Sequence, residues 1–304
     1  MAEESNDLVI VGAGLAGLTA GLIAARHGLR LTLVDPGTIG GQVLNVEKIE
    51  NFPGFPEGIA GFDLGPMVQE QAERAGCGFV MDTVTGLEVR GDERIVHCEG
   101  ADLSAKAVIV AAGSALRSLG IPGEDEFIGR GVSHCASCDA PFYVGKEVAV
   151  VGGGDAALDE AAVLADQVAR VTIFHRGAEF RAQHAARERL ASKSNIETAF
   201  GAEVVEIRGA DSVSSVLVQT NGQTREQELA GVFIFVGLEP NTAWLRDVVD
   251  LDPTGHIVTD IHLQTSLRGV FAAGDIRQAS VAQLAAVAGD GATAAVNAFR
   301  YLRG

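Results

Sequence analysis

Positive charge, cysteine and long apolar runs are all scarce in this chain, and each shortage closes off a class of protein. Lys and Arg number 23 against 40 Asp and Glu, a net charge of −17. Such a surface repels nucleic acid and anionic membranes, so neither is an expected partner. The acids themselves read as a solvated face. Four cysteines in 304 residues are too few for the disulfide framework of a secreted scaffold. No uncharged run approaches the ~18 residues that a membrane span needs. Residues 1–5 are acidic, unlike the basic start of a targeting segment, so the expected location is the cytoplasm. Aromatics are few as well, at 5%. What abounds is glycine, 38 residues within a 47% hydrophobic composition that suits a soluble α/β protein with length for two domains.

The glycines fall in informative places. Leu8-Val9-Ile10-Val11 is an apolar run of the kind buried in parallel sheets. It leads into Gly12-Ala13-Gly14-Leu15-Ala16-Gly17 and an apolar helix through residue 25, and a second strand over 31–34 ends at Asp35. Strand, glycine turn, helix and strand-end acid in that order form a dinucleotide-binding fingerprint. Gly12 permits the tight turn, Gly14 lets the backbone approach a pyrophosphate, and Gly17 lets helix and strand pack closely. The helix N-terminus offers N–H donors to phosphates. Asp35 can accept hydrogen bonds from ribose hydroxyls and would repel a 2′-phosphate.

The loop from Gly40-Gly41-Gln42 to Glu50-Asn51-Phe52-Pro53-Gly54 is too rich in Gly, Pro and amides for an element interior. It is also too long for a mere connector, which marks it as serving a ligand. A helix over 62–75, strands over 84–89 and 94–98, and a buried strand over 107–110 ending in Ala111-Ala112-Gly113 follow. Near the far end an apolar strand runs into Gly274-Asp275, whose carboxylate suits a ribityl chain. A long helix over 281–302 closes the sequence.

The middle of the chain repeats its start. A strand over 147–151 enters Gly152-Gly153-Gly154-Asp155-Ala156-Ala157, a helix covers 156–166, and a strand over 171–174 ends at His175-Arg176. Superposing Gly12 on Gly152 sets Asp35 opposite His175. With Arg181 nearby, cations stand where the first copy has an acid, and they suit the phosphorylated ribose of NADPH. Loop-like stretches near Gly120 and Gly237 bound this copy. The expected fold is α/β, with two Rossmann-like three-layer dinucleotide-binding domains, the second inserted into the first. The first takes residues 1–117 and 244–304, the second residues 118–243.

Just ahead of the second fingerprint stands Cys135-Ala136-Ser137-Cys138-Asp139. Thiols at this spacing can close a small disulfide and ionise more readily than a free cysteine. The chain has no second Cys-x-x-Cys or matching His pair, so a zinc site is disfavoured and no metal is expected. Asp139 can give and take a proton as a thiolate forms and leaves, or simply cap the turn. Cys77 and Cys98 read as quiet thiols and His134 as structural. Hydride from nicotinamide to flavin, then electrons to this pair and on to a partner's disulfide, uses every feature. Two other readings use fewer. A dithiol oxidase passing electrons through flavin to oxygen has no need of the second fingerprint. A flavin-bearing redox sensor needs neither that fingerprint nor Asp139.

Taken together, Cys135-Ala136-Ser137-Cys138-Asp139, the Gly40-Gly41-Gln42 loop, Glu50-Asn51-Phe52-Pro53-Gly54, Ala111-Ala112-Gly113 and Gly274-Asp275 resemble the low-molecular-weight thioredoxin reductases. These are flavoenzymes of the pyridine nucleotide–disulfide oxidoreductase group, and the resemblance covers essentially the whole chain in order. It implies FAD in the split domain, at Gly12, Gly14, Gly17, Asp35, Gly41, Gln42, Asn51, Ala112, Gly113, Gly274, Asp275 and Gln283. Asn51 and Gln283 would lie near the isoalloxazine. It implies NADPH in the inserted domain, at Gly152, Gly154, Asp155, Ala157, His175, Arg176 and Arg181. It further implies a homodimer, a large rotation of one domain against the other, and thioredoxin or a similar small dithiol protein as substrate. Cys138 would face the flavin, Cys135 would attack the thioredoxin disulfide, and Asp139 would handle the proton.

The chain departs from the family pattern twice. The family's His-Arg-Arg and further Arg is here His175-Arg176-Gly177 with Arg181, one cation fewer, which makes NADH a possible donor. Restoring arginine at 177 is expected to favour NADPH. The Arg-Gln of many members at the last helix is here Ala282-Gln283. Some relatives draw electrons from ferredoxin and have lost the second fingerprint, but Gly152, Gly154 and Ala157 are kept in this chain.

Overall fold

The computed structural model describes residues 6–37 and 39–304; residues 1–5, the acidic start of the sequence, and Thr38 lie outside the described residues. The chain forms two compact units, one from residues up to Ala115 together with Glu239–Gly304, the other from Leu116–Leu238. The first half of the split unit runs β1 (Asn6–Val11), α1 (Leu15–Arg26), β2 (Leu31–Asp35), α2 (Gly61–Arg74), β3 (Gly78–Met81), β4 (Val84–Arg90), β5 (Glu93–Cys98), β6 (Leu103–Val110) and β7 (Ser114–Leu116). The inserted unit runs β8 (Val132–Ser133), α3 (Ala136–Asp139), β9 (Glu147–Gly152), α4 (Asp155–Ala165), β10 (Arg170–His175), α5 (His184–Ala191), β11 (Ile196–Phe200), β12 (Ala202–Gly209), β13 (Val213–Thr220), β14 (Gln223–Glu228) and β15 (Gly231–Phe235). The return passes through β16 (Leu238–Pro240), which pairs with β7, to β17 (Val270–Ala272) and α6 (Leu284–Arg303).

In the split unit the sheet order is β3-β2-β1-β6-β5-β4. The first half of β6 pairs with β5 and the second half with β17, parallel, so the C-terminal stretch completes the sheet that the N-terminus begins. Alternation along each strand builds two cores. Leu8, Ile10, Leu33, Ile109 and Phe271 face α1 and α6, while Val9, Val11, Val34, Val108 and Val270 face Leu245, Val249 and Ile257 on the other side. A period of two sends successive side chains to opposite faces, and both faces are covered.

The inserted unit repeats the plan. Its parallel sheet, ordered β11-β10-β9-β15-β8, buries Val148, Val150 and Ile173 under the helices and Ala149, Val151 and Phe174 against the antiparallel β12-β13-β14 sheet. Each unit therefore has three layers with a parallel sheet in the middle, to which β5 and β4 of the split unit add an antiparallel edge. No helix among the described residues is long and apolar enough to cross a membrane.

The unit edges fall a few residues before the expected 117/118 and 243/244. The reason is local: the Asn241 amide donates to Ala112 O at 2.8 Å and Leu245 is fully buried in the split unit's core, so this stretch already belongs there. The last helix also starts later than expected, at Leu284 rather than 281. Ala279 and Ala282 take left-handed φ of +60° and +49°, which no α-helix accommodates.

Candidate active site

The first fingerprint shapes a cradle at the end of β1. A Cβ on Gly12, at φ +101°, would lie 2.4 Å from Ala111 O, and one on Gly17 would lie 1.9 Å from Gly12 O, so turn and helix touch backbone to backbone. A Cβ on Gly14 would meet nothing within 4 Å. Gly14 is also the N-cap of α1 and lends no side-chain cap, which leaves first-turn N–H groups for a ligand. Asp35 braces the turn, its two oxygens accepting from Ala13 N at 2.8 Å and Gly37 N at 3.0 Å. Each oxygen keeps a further lone pair for a ribose hydroxyl.

Three loops close on this cradle. Gly40 donates to Ala13 O at 2.8 Å and bridges to Gly14, and a Cβ on Gly41, at φ +60°, would lie 3.1 Å from Gly14 Cα. Gln42 donates to Ser114 O at 3.3 Å beside Ala112 and Gly113, where Gly113 has φ +61°. The Asn51 amide donates to Gln283 Oε1 at 3.1 Å, which brings together two residues 232 positions apart. At the end of β17, Ser280 donates to Asp275 Oδ1 at 2.9 Å.

The Gly274-Asp275 turn is pinned by residues that sequence reasoning missed. Asp290 of α6 accepts from Gly274 N at 3.1 Å and from Arg277 Nε and Nη2 at 2.5 and 2.9 Å. A signal was present, because Asp290 lies three residues after buried Val287 and four before buried Ala294 on one helix face. The glycine turn, uncapped helix end and strand-end carboxylates fit a flavin dinucleotide.

The second cradle fits a dinucleotide by the same tests. A Cβ on Gly152 would lie 2.3 Å from Phe235 O and 2.8 Å from the Ala157 methyl, and one on Gly154 would meet nothing within 4 Å. Gly154 caps α4 without a side chain. Asp155 accepts from Gln183 N at 2.7 Å and from Gln183 Nε2 at 2.8 Å, which ties the loop after β10 to the helix. His175 is buried, with Nε2 3.0 Å from Glu179 O. Arg176 and Arg181 are exposed, and the Arg181 backbone N donates to Gly153 O at 2.9 Å.

Cys135 and Cys138 are joined in a disulfide, with Cα atoms 5.4 Å apart. Cys135 is the N-cap of the short α3, and its Sγ accepts the Cys138 N–H at 3.3 Å and lies 3.5 Å from Ser137 Oγ. Cys138 is exposed and Cys135 half-buried. Asp139 continues the turn, its N–H donating to Cys135 O at 3.2 Å. Burial first, and then the Asp139 carboxylate, push the Tyr143 hydroxyl above its ordinary value. His134 donates from Nδ1 to Ile234 O at 3.0 Å, a structural bond.

Glu160, another residue the sequence reading passed over, accepts the N–H of Ala136 at 2.6 Å. The helix that opens the second cradle therefore holds the turn between the two cysteines. Its place three residues after buried Ala157 was the available clue.

Residues 6–292 match the profile of the pyridine nucleotide-disulphide oxidoreductase family. The thioredoxin reductase of Treponema pallidum (strain Nichols) is 41% identical over 302 residues, covering 99% of this chain and 98% of that protein. A bifunctional thioredoxin reductase/thioredoxin of Mycobacterium leprae is 38% identical over 99% of this chain, which spans 66% of that protein. The crystal structure of Lactococcus lactis thioredoxin reductase (FR conformation) superposes with a TM-score of 0.96 at 38% identity, over 98% of this chain and 99% of that one. With two glycine-turn cradles and a cysteine disulfide braced from the second of them, the chain belongs to the pyridine nucleotide-disulphide oxidoreductase family, among its flavoprotein thioredoxin reductases.

Proposed function

We propose that the split unit binds FAD through the Gly12, Gly41 and Gly274 turns, and that the inserted unit binds NADPH, with NADH as a second donor, through the Gly152 turn, Arg176 and Arg181. The physiological substrate of the Cys135–Cys138 pair is the disulfide of thioredoxin or a similar small dithiol protein. The observation that carries this reading is the bond from Ala136 N to Glu160, which mounts the redox disulfide on the first helix of a dinucleotide cradle. When bound, the nicotinamide supplies a hydride and the flavin relays its two electrons to the disulfide. The remaining steps belong to this chain's residues.

The Cys138 N–H and the Ser137 hydroxyl lie within hydrogen-bond reach of Cys135 Sγ and can donate to a thiolate there once the pair is reduced. Cys135 attacks one sulfur of the partner's disulfide; that S–S bond breaks, and the departing partner sulfur takes a proton. Cys138 then attacks Cys135 Sγ, the mixed disulfide breaks, and the second partner sulfur leaves and is protonated. The partner gains two electrons and two protons, and the 135–138 disulfide is restored. Asp139, one residue on, is the proposed carrier of those protons. A homodimer in the cytoplasm belongs to the same reading: the dimer is what the family resemblance implies, and the location is the expectation from composition.

Replacing Cys138 with Ser tests the relay. Flavin bleaching by NADPH, followed by stopped-flow absorbance, is expected to persist while thioredoxin reduction disappears. Retained thioredoxin turnover would refute the route through the pair.

A further inference from the structure

Resting on the reading of Cys135–Cys138 as the redox pair, we propose that Ser133 and Glu160 are positioning residues that hold Cys135 still, so that the disulfide opens and closes by movement of the Cys138 half alone.

The two halves of the pair are held differently. Cys135 follows closely on β8, whose Ser133 stands in register with buried Phe233 of β15. Ser133 is only 6% exposed, and its hydroxyl grips the backbone of Cys135 at both ends. Oγ accepts from Cys135 N at 3.1 Å and donates to Cys135 O at 3.3 Å. His134, between them, is tied to β15 through Ile234 O. On the far side, Glu160 accepts the N–H of fully buried Ala136 at 2.6 Å. Cys135 therefore sits between one clamp from β8 and another from α4. Both are mounted on the packed core of the inserted unit, to which Ala136, Ala157, Ala161 and Phe233 contribute.

The Cys138 half has no such anchors. Ser137 and Cys138 are exposed. The N–H groups of Cys138 and Asp139 donate back to Cys135, to Sγ at 3.3 Å and to O at 3.2 Å. Among the described residues, no side chain from another element bonds to Ser137, Cys138 or Asp139. The next buried residue along the chain is Ala140. When the S–S bond is cut, this half loses its covalent tie to the clamped residue, while Cys135 keeps its bonds to Ser133 and, through Ala136, to Glu160. A sulfur fixed in advance holds one attack geometry and spares the cost of ordering it at each turnover. The mobile sulfur then closes the pair by returning to a stationary target, which raises its effective concentration there.

Hydrogen exchange read by mass spectrometry at residue resolution shows which half moves, on FAD-loaded protein before and after the pair is opened with dithiothreitol. The reagent's two thiols pass two electrons and two protons to the disulfide, leaving a dithiol protein and the cyclic disulfide of the reagent. In wild type, exchange at the Cys138 and Asp139 N–H groups is expected to rise by roughly tenfold or more on reduction, while those of Cys135 and Ala136 stay protected. In Ser133→Ala the rise is expected to spread to the Ala136 N–H, although its own acceptor, Glu160, is unchanged. The disulfide of that variant is expected to open at a dithiothreitol ratio about two- to tenfold lower, the worth of a lost hydrogen bond. A wild-type protein in which all four N–H groups rise alike, or none does, overturns the proposal. So does a Ser133→Ala protein whose exchange pattern and opening ratio both match wild type. The wild-type pattern decides the matter even where the variant does not fold. A 135–138 disulfide that no dithiothreitol ratio opens refutes the redox reading itself, a separable result.

Discussion

Breaking the Arg277–Asp290 pair should loosen the Gly274-Asp275 turn, and with it the proposed FAD site. Asp290 accepts three hydrogen bonds, two from the Arg277 guanidinium and one from Gly274 N. The two side chains keep only 20% and 13% of their exposure. Removing one member of a buried pair costs about 3–5 kcal/mol, because a charge is left behind without its partner. The residual exposure screens part of that, so Asp290→Asn should cost about 2–3 kcal/mol. For a unit of this size that is a fall in melting temperature of roughly 5–10 °C. The double change Arg277→Met with Asp290→Leu removes both charges and should recover most of the stability. It also leaves Gly274 N without its acceptor, so FAD affinity should stay low after stability returns. Thermal melts followed by flavin fluorescence, with FAD rebinding to the apoprotein, separate the two effects. If Asp290→Asn melts within 1 °C of wild type and rebinds FAD normally, the clamp does not hold the Gly274-Asp275 turn.

Two further expectations concern the sulfurs. Burial pushes the Cys77 thiol up to about 11, and burial followed by the Asp82 and Asp102 carboxylates pushes Cys98 up to about 11. A raised pKa keeps a thiol protonated and inert below roughly pH 10. Reduced native protein treated with iodoacetamide at pH 8 should therefore label Cys135 and Cys138 only, and peptide mapping that finds Cys77 labelled at the same rate contradicts this. Glu160→Gln keeps an acceptor for Ala136 N but removes a negative charge beside the pair. Reduced Cys135 should ionise more easily and the couple should become more oxidising, by on the order of 15–30 mV. A dithiothreitol redox titration that shows no shift would mean that Glu160 only shapes the turn.

Much of the site could be read directly from the residues because its parts are local. Gly12 and Gly152 must bend a strand into a helix within a few positions, and only glycine accepts the φ of +101° and +153° and the backbone oxygens pressed against it. Asp35 and His175 stand out because each ends a short apolar strand. The Cys135–Cys138 spacing likewise needs only one turn of chain. Less legible were Glu160 and Asp290, acids on helices whose partners lie 24 and 16 residues away. Their burial-face positions hinted at a role but not at which N–H group they meet.

The sequence by itself determined the repeated strand–turn–helix units, their order, and the cysteine pair set before the second, since these follow from periodicity and from steric rules acting over a few residues. Tertiary structure decided what those rules do not reach. It joined Asn51 to Gln283 across 232 positions. It placed β17 along β6 to finish a sheet begun at the N-terminus. It also buried His175 at the end of β10, with its ring against Gly153 and Gly177. Hydrogen-bond partners and the space left for a side chain depend on chain segments that meet only after folding, and no local pattern records which segments those are.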